Sequence, residues 1–155
     1  MKKVTKSFIA MVLGLSLVLA GCSKDEDEVI EDFSGNYDVT IIVKNPPAEA
    51  LNISTALKLS KEGKDYVASA EFSTSQPPVT GSLSLKLTSV KEIANAGGVA
   101  SYGFNVTSQT FTINGDDLFL SGTGTLGSVV AAGYTIEMDL ATSGKTVTVT
   151  INGKK

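Results

Sequence analysis

The chain has no histidine, no arginine and no tryptophan, and it carries a single cysteine, Cys22. Each absence closes off a chemistry. Without His there is no Ser-His-Asp or Cys-His nucleophile and no His-bearing zinc site. Without Arg there is no bidentate grip on phosphate or on guanine. One cysteine allows no disulfide within the chain. Aromatics are scarce at 6%, so few large side chains are available to fill a core.

The acid–base groups that remain are carboxylates, lysines and hydroxyls. A Ser/Lys dyad or a carboxylate pair would be the only catalytic options. Asp116 and Asp117 are adjacent, which in a hairpin sends them to opposite faces. Glu137 and Asp139 share one strand face but fall on a polar, outward row. No catalytic residue is expected, and none that would hold a metal.

Charge is distributed unevenly. Lys2, Lys3 and Lys6 lie in the first 21 residues, which contain no acid. Residues 22–155 therefore hold ten lysines against sixteen acids, a net −6, and residues 22–32 alone account for −5. The remainder, 33–155, is close to neutral at −1. A near-neutral domain without a basic face excludes nucleic acid as a partner.

The N-terminal segment reads as a targeting signal. Three lysines precede a 13-residue apolar run, residues 8–20. That run is too short for a bilayer span, which needs roughly 20 residues, but it has the length of a signal-peptide core. It ends in Leu19-Ala20-Gly21-Cys22, which resembles the bacterial lipobox. The resemblance implies cleavage before Cys22, which would then carry a covalent diacylglycerol and an acyl chain. No other cofactor is expected. Stable anchoring follows from two or more acyl chains.

Ser23-Lys24-Asp25-Glu26-Asp27-Glu28 comes next, a like-charged run that repels itself and stays extended. It suits a spacer. It also resembles the acidic export signal that follows the lipid cysteine in surface lipoproteins of Bacteroidetes-type bacteria. The expected organisation is a signal peptide at 1–21, a lipidated acidic tether at 22–32 and one domain at 33–155. The expected place is the outer membrane, lipid-anchored and displayed at the cell surface, with a periplasm-facing orientation as the alternative.

From Phe33 onward the apolar pattern alternates with period two, the signature of strands with one wet and one buried face. Tyr37, Val39, Ile41 and Val43 form one row, and Asn45-Pro46-Pro47 stops it. Ile53, Thr55, Leu57 and Leu59 form the next. A polar turn at 61–65 leads to Tyr66, Ala68, Ala70 and Phe72, so that 53–60 and 66–73 should make the first hairpin. Pro77 and Pro78 break the chain before Leu83, Leu85 and Leu87. Residues 91–98 read as a loop.

Tyr102, Phe104 and Val106 make a further row, followed by Phe111 and Ile113. Asn114-Gly115 is a strong hairpin signal. Leu118 and Leu120 lead through Gly122 and Gly124 to Leu126. Tyr134, Ile136, Met138 and Leu140 precede a turn and then Val147, Val149 and Ile151. Ile42 and Phe119 fall on outward rows.

Eight or nine short strands in hairpin order predict an all-β, antiparallel, up-and-down barrel rather than a sandwich. About eight strands enclose an interior that side chains fill or that holds one small ligand. The opening Phe33-Ser34-Gly35-Asn36-Tyr37, the segment Leu120-Ser121-Gly122-Thr123-Gly124 and the closing strand 145–151 resemble the calycin-like (lipocalin-like) domains of Bacteroidetes lipoproteins. The resemblance covers nearly all of 33–155. The chain departs from lipocalins proper in lacking the Trp of their Gly-x-Trp pattern and the Arg that packs on it.

Two functions are open at this point. One is a non-catalytic binding module for a small apolar ligand or a glycan. Its interior lining would be Leu57, Tyr66, Phe72, Leu85, Tyr102, Phe104, Phe111, Ile113, Tyr134, Ile136 and Val149. The other is an interaction protein with a filled barrel, whose loops bind a protein partner. Space among those side chains decides between them.

Overall fold

The computed structural model describes residues 31–129 and 133–155. They form eight strands: β1 (Gly35–Lys44), β2 (Leu51–Glu62), β3 (Asp65–Ser75), β4 (Pro78–Ala96), β5 (Val99–Ile113), β6 (Asp116–Val129), β7 (Gly133–Thr142) and β8 (Thr148–Lys154). Each pairs antiparallel with its neighbour in sequence, and β1 pairs with β8 to close the barrel. The expected all-β, up-and-down architecture holds, with eight strands rather than nine. Closure leaves β1 paired on both sides: Ile41 faces Ile53 on β2 and Ile151 on β8. All three have no exposed surface.

Alternation does the sorting. Buried positions on β2, β3 and β8 fall on every second residue, as a strand with one apolar face requires. Fully burying a Leu, Ile or Phe contributes about 1.5–3 kcal/mol. Among the described residues, twenty-nine buried apolar side chains form one continuous core inside the closed sheet.

Three expectations need correction. Residues 91–98 are not a loop. β4 runs on to Ala96, and only Gly97 and Gly98, at φ 64° and 80°, make the turn. Ser89 sits at φ 57° beside a register shift, so the buried row moves from Leu87 to Val90. That one-residue slip breaks the period and hides the strand. The same device on β5 joins two rows into one strand. A shift between Val106 and Gln109, with Ser108 at φ 32°, moves the buried set from even to odd positions, so Phe111 follows Val106.

The third correction concerns the first hairpin. β1 and β2 already pair from Gly35–Leu59 to Val43–Leu51, around the connection at 45–50. The β2–β3 hairpin is real but short, with ladder partners only from Lys58–Ser69 to Glu62–Asp65. Beyond Lys58 the two strands part.

Candidate functional site

The two ends of the barrel differ in composition. β1 begins at one end, and the odd strands all start there. This end gathers all four tyrosines of the chain around Phe33. Phe33 precedes β1, is fully buried, and meets Tyr66, Tyr102 and Tyr134 edge-on at centroid distances of 6.3, 5.1 and 5.3 Å. Edge-to-face packing places ring hydrogens against π-faces and favours this geometry.

Hydrogen bonds fix the strap of residues 31–34 across that end. The Tyr37 hydroxyl donates to the Phe33 carbonyl at 2.7 Å, and the Tyr66 hydroxyl donates to the Glu31 carbonyl at 2.9 Å. The Glu31 carboxylate accepts from Ser128 and Tyr134, both at 3.0 Å. Lys155 Nζ donates to the Ser34 carbonyl at 2.6 Å and lies 5.1 Å above the Tyr134 ring. Tyr102 donates to Glu92 at 3.3 Å. The strap is a plug built from one aromatic side chain and its polar seat.

The electrostatics follow. Burial pushes the Tyr37 hydroxyl far above the ordinary phenol value. Burial raises Tyr66 and Tyr102 as well, with Glu92 adding to the effect on Tyr102. Tyr134 is raised first by its hydrogen bond to Glu31, which needs the phenolic proton. Asp32 is lowered by the Ser34 N–H it accepts from.

The opposite end is a loop end. It carries the connection at 45–50, the turn at 76–77, the Asn114-Gly115 turn and the connection at 143–147. All four prolines of the chain stand here. Asn114 and Gly115 take φ 51° and 87°, the positive values that a two-residue hairpin turn demands. Asn114 also clamps the neighbouring turn: its N–H donates to the Thr80 carbonyl at 2.8 Å and its Oδ1 accepts from the Thr80 N–H at 3.0 Å.

The eleven side chains expected to line an interior do point inward. Leu57, Tyr66, Leu85, Phe111, Ile136 and Val149 have no exposed surface. Phe72, Tyr102 and Phe104 are nearly as covered, and Phe72 stacks on Phe111 at 5.8 Å. Ile113 and Tyr134 are only partly buried, one toward each end. A side chain that a water-sized sphere cannot touch borders no water-sized void, so six of the eleven line no cavity.

The polar candidates stay outside. Glu137 and Asp139 are exposed, and Asp139 accepts from Thr150 at 3.0 Å. Asp117 accepts from Thr112 at 2.6 Å beside exposed Asp116. Phe119 is 62% exposed. Ile42 stands on the outward row of β1, between the buried Ile41 and Val43, and is half-buried there. Among the described residues no three His, Cys, Asp or Glu side chains cluster as a metal site would require. Leu19, Ala20, Gly21 and Cys22, and the acidic residues 23–28, lie outside the described residues.

One feature was missed in the sequence. The outer wall carries a depression of about 610 Å³ that crosses β1 to β5, lined by Asn36, Ala56, Lys58, Ser69, Ala70, Glu71, Ser82, Leu83, Ser84, Thr110 and Thr112. Its signal was the small size of the outward residues on β3 and β4, which is visible only once the strands are in register.

Against family models, curated proteins and solved structures, the chain finds no match. The architecture itself defines the class: a closed, eight-stranded, antiparallel barrel that fits a calycin-like fold.

Proposed function

We propose that the protein is a lipid-anchored outer-membrane module, displayed at the cell surface, that binds a protein partner through the loop end of a filled barrel. The anchor is Cys22, freed after the Leu19-Ala20-Gly21 lipobox and lipidated, and the acidic residues 23–28 act as export signal and spacer. The resemblance to calycin-like lipoproteins of Bacteroidetes-type bacteria supports that placement.

The observation that carries the reading is the zero exposure of Leu57, Tyr66, Leu85, Phe111, Ile136 and Val149. It weighs against the other expectation, a small apolar ligand held inside. The strap at 31–34 leaves the barrel on the tether side, so the loop end points away from the membrane. Proline fixes φ, and its concentration in two of the four loop-end connections reduces the entropy lost on binding. The reading is non-catalytic.

The test is native mass spectrometry of residues 23–155, exported without the lipid anchor and compared with the denatured protein. A bare protein mass that takes up no added fatty acid is the expected result. An apolar small-molecule mass lost on denaturation would sink the filled-barrel reading.

A further inference from the structure

The outer-wall depression has a floor set by residue size. Ala56, Ser69, Ser82 and Ser84 are small, while Lys58 and Glu71 are the long side chains among its lining. Registry turns these into rows. Asn36 faces Lys58, Lys58 faces Ser69 and Ser69 faces Ser84. In the next row Glu71 faces Ser82 and Ser82 faces Thr112. The groove therefore runs across the strands rather than along one, and five strands at the usual spacing give it a contour of ~19 Å that bends with the barrel wall.

It also lies where the wall is least paired. The β2–β3 ladder stops at Lys58–Ser69, and the link beyond it is a side-chain bond, from the Thr55 hydroxyl to the Glu71 carbonyl at 3.1 Å. The ladder does not continue to Ala56 and Glu71, and the hydroxyls of Ser69, Ser82 and Ser84 line the concavity beside Ala56, Ala70 and Leu83. Such groups favour a ligand that both donates and accepts hydrogen bonds over its whole length.

We infer that this groove binds a neutral, polyhydroxylated ligand, a short linear saccharide lying across β1 to β5. Lys58 and Glu71 cancel in charge, which selects against acidic and phosphorylated ligands. An extended peptide adding to a strand edge would run parallel to β2 or β3, not across them. No aromatic ring lines the floor, so hydrogen bonds carry the binding, and each contributes little net. Single-site affinity is then about 1 mM, a strength that many copies on one membrane surface multiply. The site is separate from the loop end and independent of what binds there.

The experiment is an amide chemical-shift titration of the 15N-labelled chain from Ser23 to Lys155 with maltotriose, cellotriose and mannotriose. The expected result is saturable shifts for at least one of them, confined to amides near Asn36, Lys58, Ser69, Glu71, Ser84 and Thr112. Ser84→Leu and, separately, Ser82→Leu should each weaken that binding about tenfold while amides elsewhere keep their positions. Lys58→Ala and Glu71→Ala should each weaken it several-fold. The inference is overturned by silence up to the solubility limit with all three sugars. It is equally overturned by shifts at the loop end alone, by undiminished binding in both leucine variants, or by binding of trigalacturonate in preference to the neutral sugars.

Discussion

The ring of Phe104 on β5 lies over Gly124, its ladder partner on β6. A Cβ at position 124 would meet Phe104 Cζ and the carbonyl oxygen of Glu137 on β7. Both residues face inward, so the missing side chain at 124 is what leaves room for the phenyl ring against the wall. Phe72 over Gly81 repeats the arrangement between β3 and β4.

Gly124→Ala should therefore destabilise the domain by about 1–3 kcal/mol, the range for forcing extra volume into a packed core. Urea unfolding followed by circular dichroism measures it. Phe104→Leu in the Gly124→Ala background should recover part of the loss, because the clash is with the ring. A loss that the second change leaves untouched would mean that the Glu137 backbone, and not the ring, sets the limit.

Phe33→Ala should be among the most costly single changes. It removes a fully buried ring with three edge-on partners and leaves the tyrosine seat empty. The expected loss is about 3–5 kcal/mol. Tyr37→Phe keeps the ring but strips the Phe33 carbonyl of its donor, and should cost about 1–3 kcal/mol. Chemical denaturation of both variants tests the ranking. Equal and small effects would show that the strap rests on the barrel without holding it.

Much of this was legible in the sequence, and what was not has a local cause. Tyr66, Ala68, Ala70 and Phe72 announced β3 because no bulge interrupts them. β4 past Leu87 was hidden because Ser89 takes a positive φ and moves the buried face by one residue. The break from Val106 to Phe111 was visible as five residues where four would keep period, yet nothing in the residues said whether it marked a bulge or a turn. The tyrosine seat was hidden for another reason. Tyr37, Tyr66, Tyr102 and Tyr134 stand on four different strands, and only closure of the sheet brings them to one end. The outer groove depends on register across β1 to β5, which single-strand patterns do not encode.

Alkaline pH should open the strap end first. Tyr37, Tyr66, Tyr102 and Tyr134 are all raised in the folded state, so the fold holds phenolic protons that the unfolded chain releases near pH 10. Where the native state binds more protons, stability falls as pH rises. Stability from these groups is complete below about pH 10 and declines above it. Absorbance of tyrosinate, read beside circular dichroism, should show ionisation coinciding with unfolding, because every tyrosine of the chain reports this one end. More than two tyrosinates forming early in a still-folded protein would contradict the burial of Tyr37 and Tyr66.

At the loop end, Asn114→Ala should cost about 1–2 kcal/mol, combining a positive-φ penalty with loss of the side-chain bond to the Thr80 N–H. Asn114→Gly should cost less, since glycine accepts that φ and only the bond is lost. Thermal melts of the pair separate the two contributions. Equal melting temperatures would assign the whole effect to the hydrogen bond.

The zero exposure of the inward rows makes a prediction that wild-type binding data alone would not. Leu85→Ala removes a side chain with no exposed surface, midway along β4 and opposite Ala68 on β3. Because Ala68 is small, little can collapse into the space, and the loss should sit at about 2–5 kcal/mol. An apolar cavity of that kind stays dry and takes up small hydrocarbons. Benzene should therefore raise the melting temperature of Leu85→Ala and leave the wild-type protein unchanged. If benzene stabilises the wild-type chain as well, the barrel already holds room for an apolar ligand. The apolar carrier would then replace the surface-binding module as the better account of the protein.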